Sequence, residues 1–171
     1  MNNIFLLGYM GSGKSTVAKK IARKMDYNWI DLDTLIQEQQ GASISAIFDK
    51  EGEEAFRLME QQALYSCSNI NDTIVSLGGG TPCFFDNMEW IKNNSISVYL
   101  KMPAKVLLNR LQNAKQHRPL LESKDEFELL EFIQQQLGER EKYYLQADII
   151  YPALSVSLEQ LIQEINNQKN R

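Results

Sequence analysis

Nine residues near the start constrain this chain more than any others. Gly8-Tyr9-Met10-Gly11-Ser12-Gly13-Lys14-Ser15-Thr16 fits G-x-x-x-x-G-K-[ST] without a gap. Ile4, Phe5, Leu6 and Leu7 before it form a short apolar run, as a buried parallel strand requires. Val17, Ala18, Ile21, Ala22 and Met25 after it recur at helical spacing, with Lys19, Lys20, Arg23 and Lys24 between them. Strand, glycine loop and helix thus follow in the order of a phosphate-binding loop. Its glycines leave room for close approach, and successive backbone N–H groups form an anion nest at the positive end of the new helix. Lys14 is placed to reach the β- and γ-phosphates, and the Ser15 hydroxyl to ligate Mg²⁺. The stretch predicts a binder of nucleoside triphosphates.

A chain of 171 residues is expected to form one compact α/β domain spanning 1–171. Its net charge of −4 argues against a generic polyanion binder, so no nucleic-acid partner is expected. Cys67 and Cys83 lack metal-binding spacing and read as free thiols, and the single His117 cannot build a zinc site alone. The apolar start is too short for a signal peptide core, and no apolar run approaches the roughly 20 residues needed to cross a bilayer. The expectation is a soluble cytoplasmic protein.

Farther along, Asn28-Trp29-Ile30-Asp31-Leu32-Asp33 reads as a strand ending in two acids, which period-two alternation places on one side. Beyond the carboxyl end of a parallel strand they would stand beside the glycine loop. Asp33 has a second reading, as N-cap of a helix starting at Thr34. Gly41 closes that helix; 43–49 and 52–68 read as two more. Arg57 and Glu60, three apart on the second, are close enough to pair, with an ordinary surface ion pair as the alternative. The strand at residues 73–77 runs into Gly78, Gly79 and Gly80, which make either a bare turn or a backbone contact for a ligand. A helix from Asp86, a strand at 97–100 and a helix from Ala104, with Pro103 at its start, follow. The polar stretch 113–124, around Arg118-Pro119-Leu120-Leu121, reads as a lid or as a plain solvated loop. Asp125 N-caps a long helix that carries Arg140 near its end; a last strand and helix complete the chain.

Strands alternate with helices throughout, which predicts a parallel sheet covered on both faces. The phosphate loop alone leaves GTPase, motor ATPase and small-molecule kinase open. An N-K-x-D guanine motif and an early D-x-x-G switch are missing, as is the apolar run ending in Asp-Glu of a motor ATPase. A small chain with a lid and interior acids fits phosphoryl transfer to a metabolite.

At this point the residues resemble one family, shikimate kinase, over nearly the whole chain. The resemblance rests on residues 8–16, Asp31-Leu32-Asp33, Ile47-Phe48 with Gly52-Glu53 and Phe56-Arg57, residues 77–80, Arg118-Pro119-Leu120-Leu121, and Arg140 with Tyr143-Tyr144. It implies ATP-dependent phosphorylation of the 3-hydroxyl of shikimate, on the route to chorismate and the aromatic amino acids. The fold implied is α/β, a three-layer α/β/α P-loop kinase with five parallel strands ordered 2-3-1-4-5, acting as a monomer.

The resemblance also implies roles for individual residues. Gly11, Ser12, Gly13, Lys14, Ser15 and Thr16 hold ATP, Lys14 at its β/γ-phosphates. Ser15 binds Mg²⁺ directly and Asp31 through water. Asp33 receives the ring hydroxyls, Arg57 and Arg140 clamp the substrate carboxylate, and Gly79 and Gly80 give backbone contacts. Arg118 swings in with the lid onto the transferring phosphate. Where the family has a basic residue and Asn-Pro near the last strand, this chain has Tyr151-Pro152-Ala153-Leu154. That departure leaves Arg110 as the stacking candidate for adenine. Competing readings are a P-loop kinase of another polyol acid, such as gluconate, and a non-catalytic nucleotide sensor.

Overall fold

A computed structural model describes residues 3–113 and 125–170. The apolar run before the glycine loop is strand β1 (Ile4–Leu7), all four residues buried. Its alternation divides the molecule. Ile4 and Leu6 face one apolar core and Phe5 and Leu7 the other, as a sheet covered on both faces demands.

Strands β2 (Asn28–Asp31), β3 (Thr73–Ser76), β4 (Ile96–Lys101) and β5 (Ile149–Pro152) complete a five-stranded parallel sheet in the order β2-β3-β1-β4-β5. Helices α1 (Lys14–Met25), α5 (Ala104–Gln112) and α7 (Leu158–Lys169) cover the Ile4 face through Ile21, Leu107 and Leu161. Helices α2 (Leu32–Gln40), α3 (Ile44–Ser66) and α4 (Asn87–Asn94) cover the Phe5 face through Ile36, Leu64 and Ile91. The expected three layers and strand order are present.

Two helix boundaries matter for the site. Gly52, at φ 80° and ψ 173°, breaks α3, so its two arms are the two helices that the sequence predicts. Asp125 caps α6 (Glu126–Tyr144) in a capping box with Glu128, each side chain bonding the other residue's amide. Leu129 and Ile133 of α6 lie in the first core, Tyr144 in the second, and Leu137 packs against both. Helix α6 therefore passes from one layer to the other and brings Arg140 to the glycines that follow β3. Among the described residues, no helix is long and apolar enough to cross a membrane.

Candidate active site

Because β1 and β3 are neighbours, the glycine runs that follow them lie side by side at the carboxyl ends of the sheet. They border a cleft of about 600 Å³ lined by Lys14, Ser15, Asp31, Asp33, Gly78 and Gly79, among others. Gly11 and Gly13 take φ of 80° and 95°, the left-handed region that side chains resist, and so the loop curls into the start of α1. Gly13 has no side chain with which to cap that helix, and its first residues, Lys14, Ser15 and Thr16, line the cleft, where the start of a helix offers amides to an anion. Lys14 is buried, its Nζ donating to the carbonyls of Gly8 (2.8 Å) and Tyr9 (3.0 Å). From α5, Arg110 donates to the carbonyls of Gly11 (3.2 Å) and Ser12 (3.3 Å), at the outer rim of the same loop.

The two acids arrive differently from the alternation expected of them. Strand β2 stops at Asp31, which pairs in register with Ser76, the last residue of β3. The chain then turns into α2. Asp31 is its N-cap, accepting from the Thr34 amide at 3.2 Å, and Asp33 lies in the first helical turn. The reading of 28–33 as one strand, and of Asp33 as a cap, is thereby corrected: Asp31 reaches the cleft from the strand's end as the helix cap, and Asp33 from the first helical turn. The other oxygen of Asp31 accepts from Ser15 (2.7 Å) and Ser76 (2.8 Å). A hydroxyl and a carboxylate in contact are hard oxygen donors suited to Mg²⁺, which takes few protein ligands and fills its shell with water and phosphate.

Asp33 lines the cleft and is exposed to it. Loss of surrounding water, then the negative charges of Asp31 and Glu60, push its pKa up to about 6, against the opposing pull of Lys14 and Arg57. A Cβ on Gly78 would stand 2.9 Å from its Oδ1 and 3.0 Å from Glu60 Oε1. Only a bare backbone fits between the two carboxylates.

Arg57 and Arg140 close on the next two glycines. A Cβ on Gly80 would lie 2.8 Å from Arg57 Nη1, and one on Gly79 3.3 Å from Arg140 Nη1. The Arg57 guanidinium lies over the rings of Phe84 (4.0 Å), Phe56 (5.2 Å) and Phe48 (6.0 Å). Glu60 accepts from its Nη1 at 2.8 Å and Glu53 from its Nη2 at 3.1 Å. Glu60 is buried and also receives the Thr81 hydroxyl at 2.6 Å, so the pair is no surface salt bridge. Arg140 stands over the Tyr9 ring at 5.4 Å.

The structure thus brings together residues 11–16, Asp31, Asp33, Arg57, Gly79, Gly80 and Arg140, with Arg110 at the rim. Arg118 and nearly all of the 113–124 stretch lie outside the described residues. Sequence reasoning missed Ser76, Thr81 and Phe84, and held Tyr144 only as part of the motif with Arg140, without a role. Ser76 carried a readable signal, a hydroxyl at the end of an apolar strand; the others act across distances in sequence that no local pattern spans.

Fold and site together define a class, the P-loop kinases that phosphorylate a small molecule. A family model described as shikimate kinase matches residues 10–171. Shikimate kinase of Bacteroides fragilis is 44% identical over 153 residues, covering 90% of this chain and 86% of that protein. The crystal structure of shikimate kinase from Bacteroides thetaiotaomicron superposes with a TM-score of 0.90 at 38% identity, covering 99% of each chain. That of shikimate kinase from Acinetobacter baumannii, solved in complex with shikimate, gives 0.84 at 30% identity over 99% of this chain and 93% of that one. The chain belongs to the shikimate kinase family.

Proposed function

We propose that this chain transfers the γ-phosphoryl group of ATP to the 3-hydroxyl of shikimate. One observation carries the reading: Asp33, Arg57 and Arg140 converge on Gly78, Gly79 and Gly80, beside the loop that presents Lys14. Shikimate is a small anion with one carboxylate and three hydroxyls. Two guanidinium groups and one acid match it, the arginines taking the carboxylate and Asp33 the hydroxyls.

Phosphoryl transfer asks little covalent work of a protein; positioning and charge stabilisation dominate. The amides of residues 11–16 and the Lys14 ammonium receive the triphosphate. Asp33, titrating near 6, is ionised at neutral pH and accepts the proton of the attacking hydroxyl. Gly79 and Gly80 let substrate touch main chain. Ser15 and Asp31 hold Mg²⁺, which when bound neutralises charge on the phosphates. Arg110 flanks the nucleotide at the loop rim, and Arg118 supplies charge at the transferring phosphate, a role that rests on the resemblance.

The test is ADP release with Mg²⁺ and ATP across shikimate, gluconate and nucleoside monophosphates. Turnover is expected with shikimate. Release with gluconate alone, or binding of ATP and shikimate without product, would overturn the reading.

A further inference from the structure

One buried group beside the cleft has no part in the chemistry above. Tyr144, the last residue of α6, is fully buried, and its hydroxyl donates to the carbonyl of Gly79 at 2.5 Å. Its ring packs on Tyr99 of β4, centroids 5.0 Å apart. The Tyr99 hydroxyl in turn donates to Glu141, which pairs with Lys101 at 3.0 Å. The end of α6 is therefore pinned twice, to the sheet through Glu141 and to the glycine run through Tyr144.

Arg140 lies one helical turn before Tyr144, and its Nη1 is the atom nearest to a Cβ placed on Gly79. The guanidinium is also close enough to the Tyr144 hydroxyl to oppose the rise in phenol pKa that burial causes. Phenol, guanidinium and the Gly79 peptide thus form one contact set. We infer that Tyr144 is a positioning residue for the carboxylate end of the acceptor site, fixing the Gly79 peptide and, through it, the seat of Arg140. The inference rests on the proposed function and names a residue that the reaction chemistry does not require.

Tyr144→Phe keeps the ring and removes only the hydroxyl. With the carbonyl of Gly79 left unpaired, the KM for shikimate is expected to rise about tenfold, with kcat and the KM for ATP little changed. The KM for the carboxamide analogue of shikimate, which lacks the charge, should move less than twofold. Tyr99→Phe loses a phenol from the same ring pair and should lower the melting temperature without that split. In a cycle with Arg140→Ala, the Tyr144→Phe effect should largely vanish. Equal KM changes for acid and amide, or full additivity with Arg140→Ala, would overturn the assignment. If Tyr144→Phe does not fold, a Tyr144→Trp variant that folds with a normal shikimate KM would overturn it as well. Wild-type turnover with an unmoved Tyr144→Phe removes this inference alone, whereas no wild-type turnover of shikimate removes the proposed function and this inference with it.

Discussion

Arg57 and Glu60 form a sequestered ion pair: Nη1 meets Oε2 at 2.8 Å, with the glutamate side chain 1% exposed and the arginine 12%. Removing the arginine alone strands the carboxylate. Arg57→Ala should therefore lower stability by about 3 kcal/mol as well as weaken substrate binding. Chemical denaturation and the shikimate KM measured on one preparation check both; unchanged stability with raised KM would mean that Glu60 finds another partner.

Asp33 gives a pH dependence of fixed sign. As a proton acceptor it must be ionised, so kcat/KM for shikimate should fall as pH drops below about 6. Asp33→Asn should reduce kcat by roughly 10²-fold or more and abolish that limb. The same shift acts on stability in the other direction. The folded carboxyl titrates above an ordinary aspartate, so ionisation costs the fold stability, a cost complete above pH 6 and absent below about 3.8. Asp33→Asn should melt higher than the wild type at pH 7.5 and alike at pH 3.5. Thermal melts at the two pH values read this out.

Gly80 separates steric from backbone effects. Its φ of −87° and ψ of −24° suit any residue, yet a Cβ there would press on the Arg57 guanidinium at 2.8 Å. Gly80→Ala should fold normally and raise the shikimate KM roughly tenfold or more, since displacements on the order of 1 Å at a positioning group cost up to 10²-fold. The ATP KM should hold. An unchanged shikimate KM would show that Arg57 can yield without loss.

Ser15 donates to Asp31 at 2.7 Å, and its loss removes one oxygen from the proposed Mg²⁺ position. Ser15→Ala should need several-fold more Mg²⁺ for half-maximal rate, while Asp31 stays held by Ser76 and the Thr34 amide. A magnesium titration at saturating ATP measures this; an unmoved midpoint would take Ser15 out of the metal's shell.

Much of this molecule was legible in its sequence, for local reasons. The glycine loop was readable because its flanks confirm it, and α6 because Asp125 is a good N-cap before residues spaced for burial; the structure adds Glu128 to that cap. The strand order came with the family resemblance. The two acids show where local reading runs out. Asn28-Trp29-Ile30-Asp31-Leu32-Asp33 alternates as a strand would, and Asp31 and Asp33 are both acceptable caps. The choice is made by β3, whose pairing with β2 ends at Ser76 opposite Asp31, while the next amide, of Leu77, turns to the Leu6 carbonyl of β1. Glu60 looked like half of a surface pair because its other partner, Thr81, lies 21 residues away. Tyr144 was visible only as part of a motif, since its partner Gly79 comes from a different layer of the fold.

The broken helix α3 has a consequence for how choice of acceptor could be altered. Arg57 and its buried partner stand on a segment between β2 and β3, while the loop that grips the triphosphate lies between β1 and α1. One of the two acceptor-clamping guanidinium groups thus stands on an element apart from the phosphate loop, while Asp33 and Arg140 come from α2 and α6. Exchanging the 44–66 segment would change that one grip on the acceptor while the phosphate loop, Asp33 and Arg140 stayed in place.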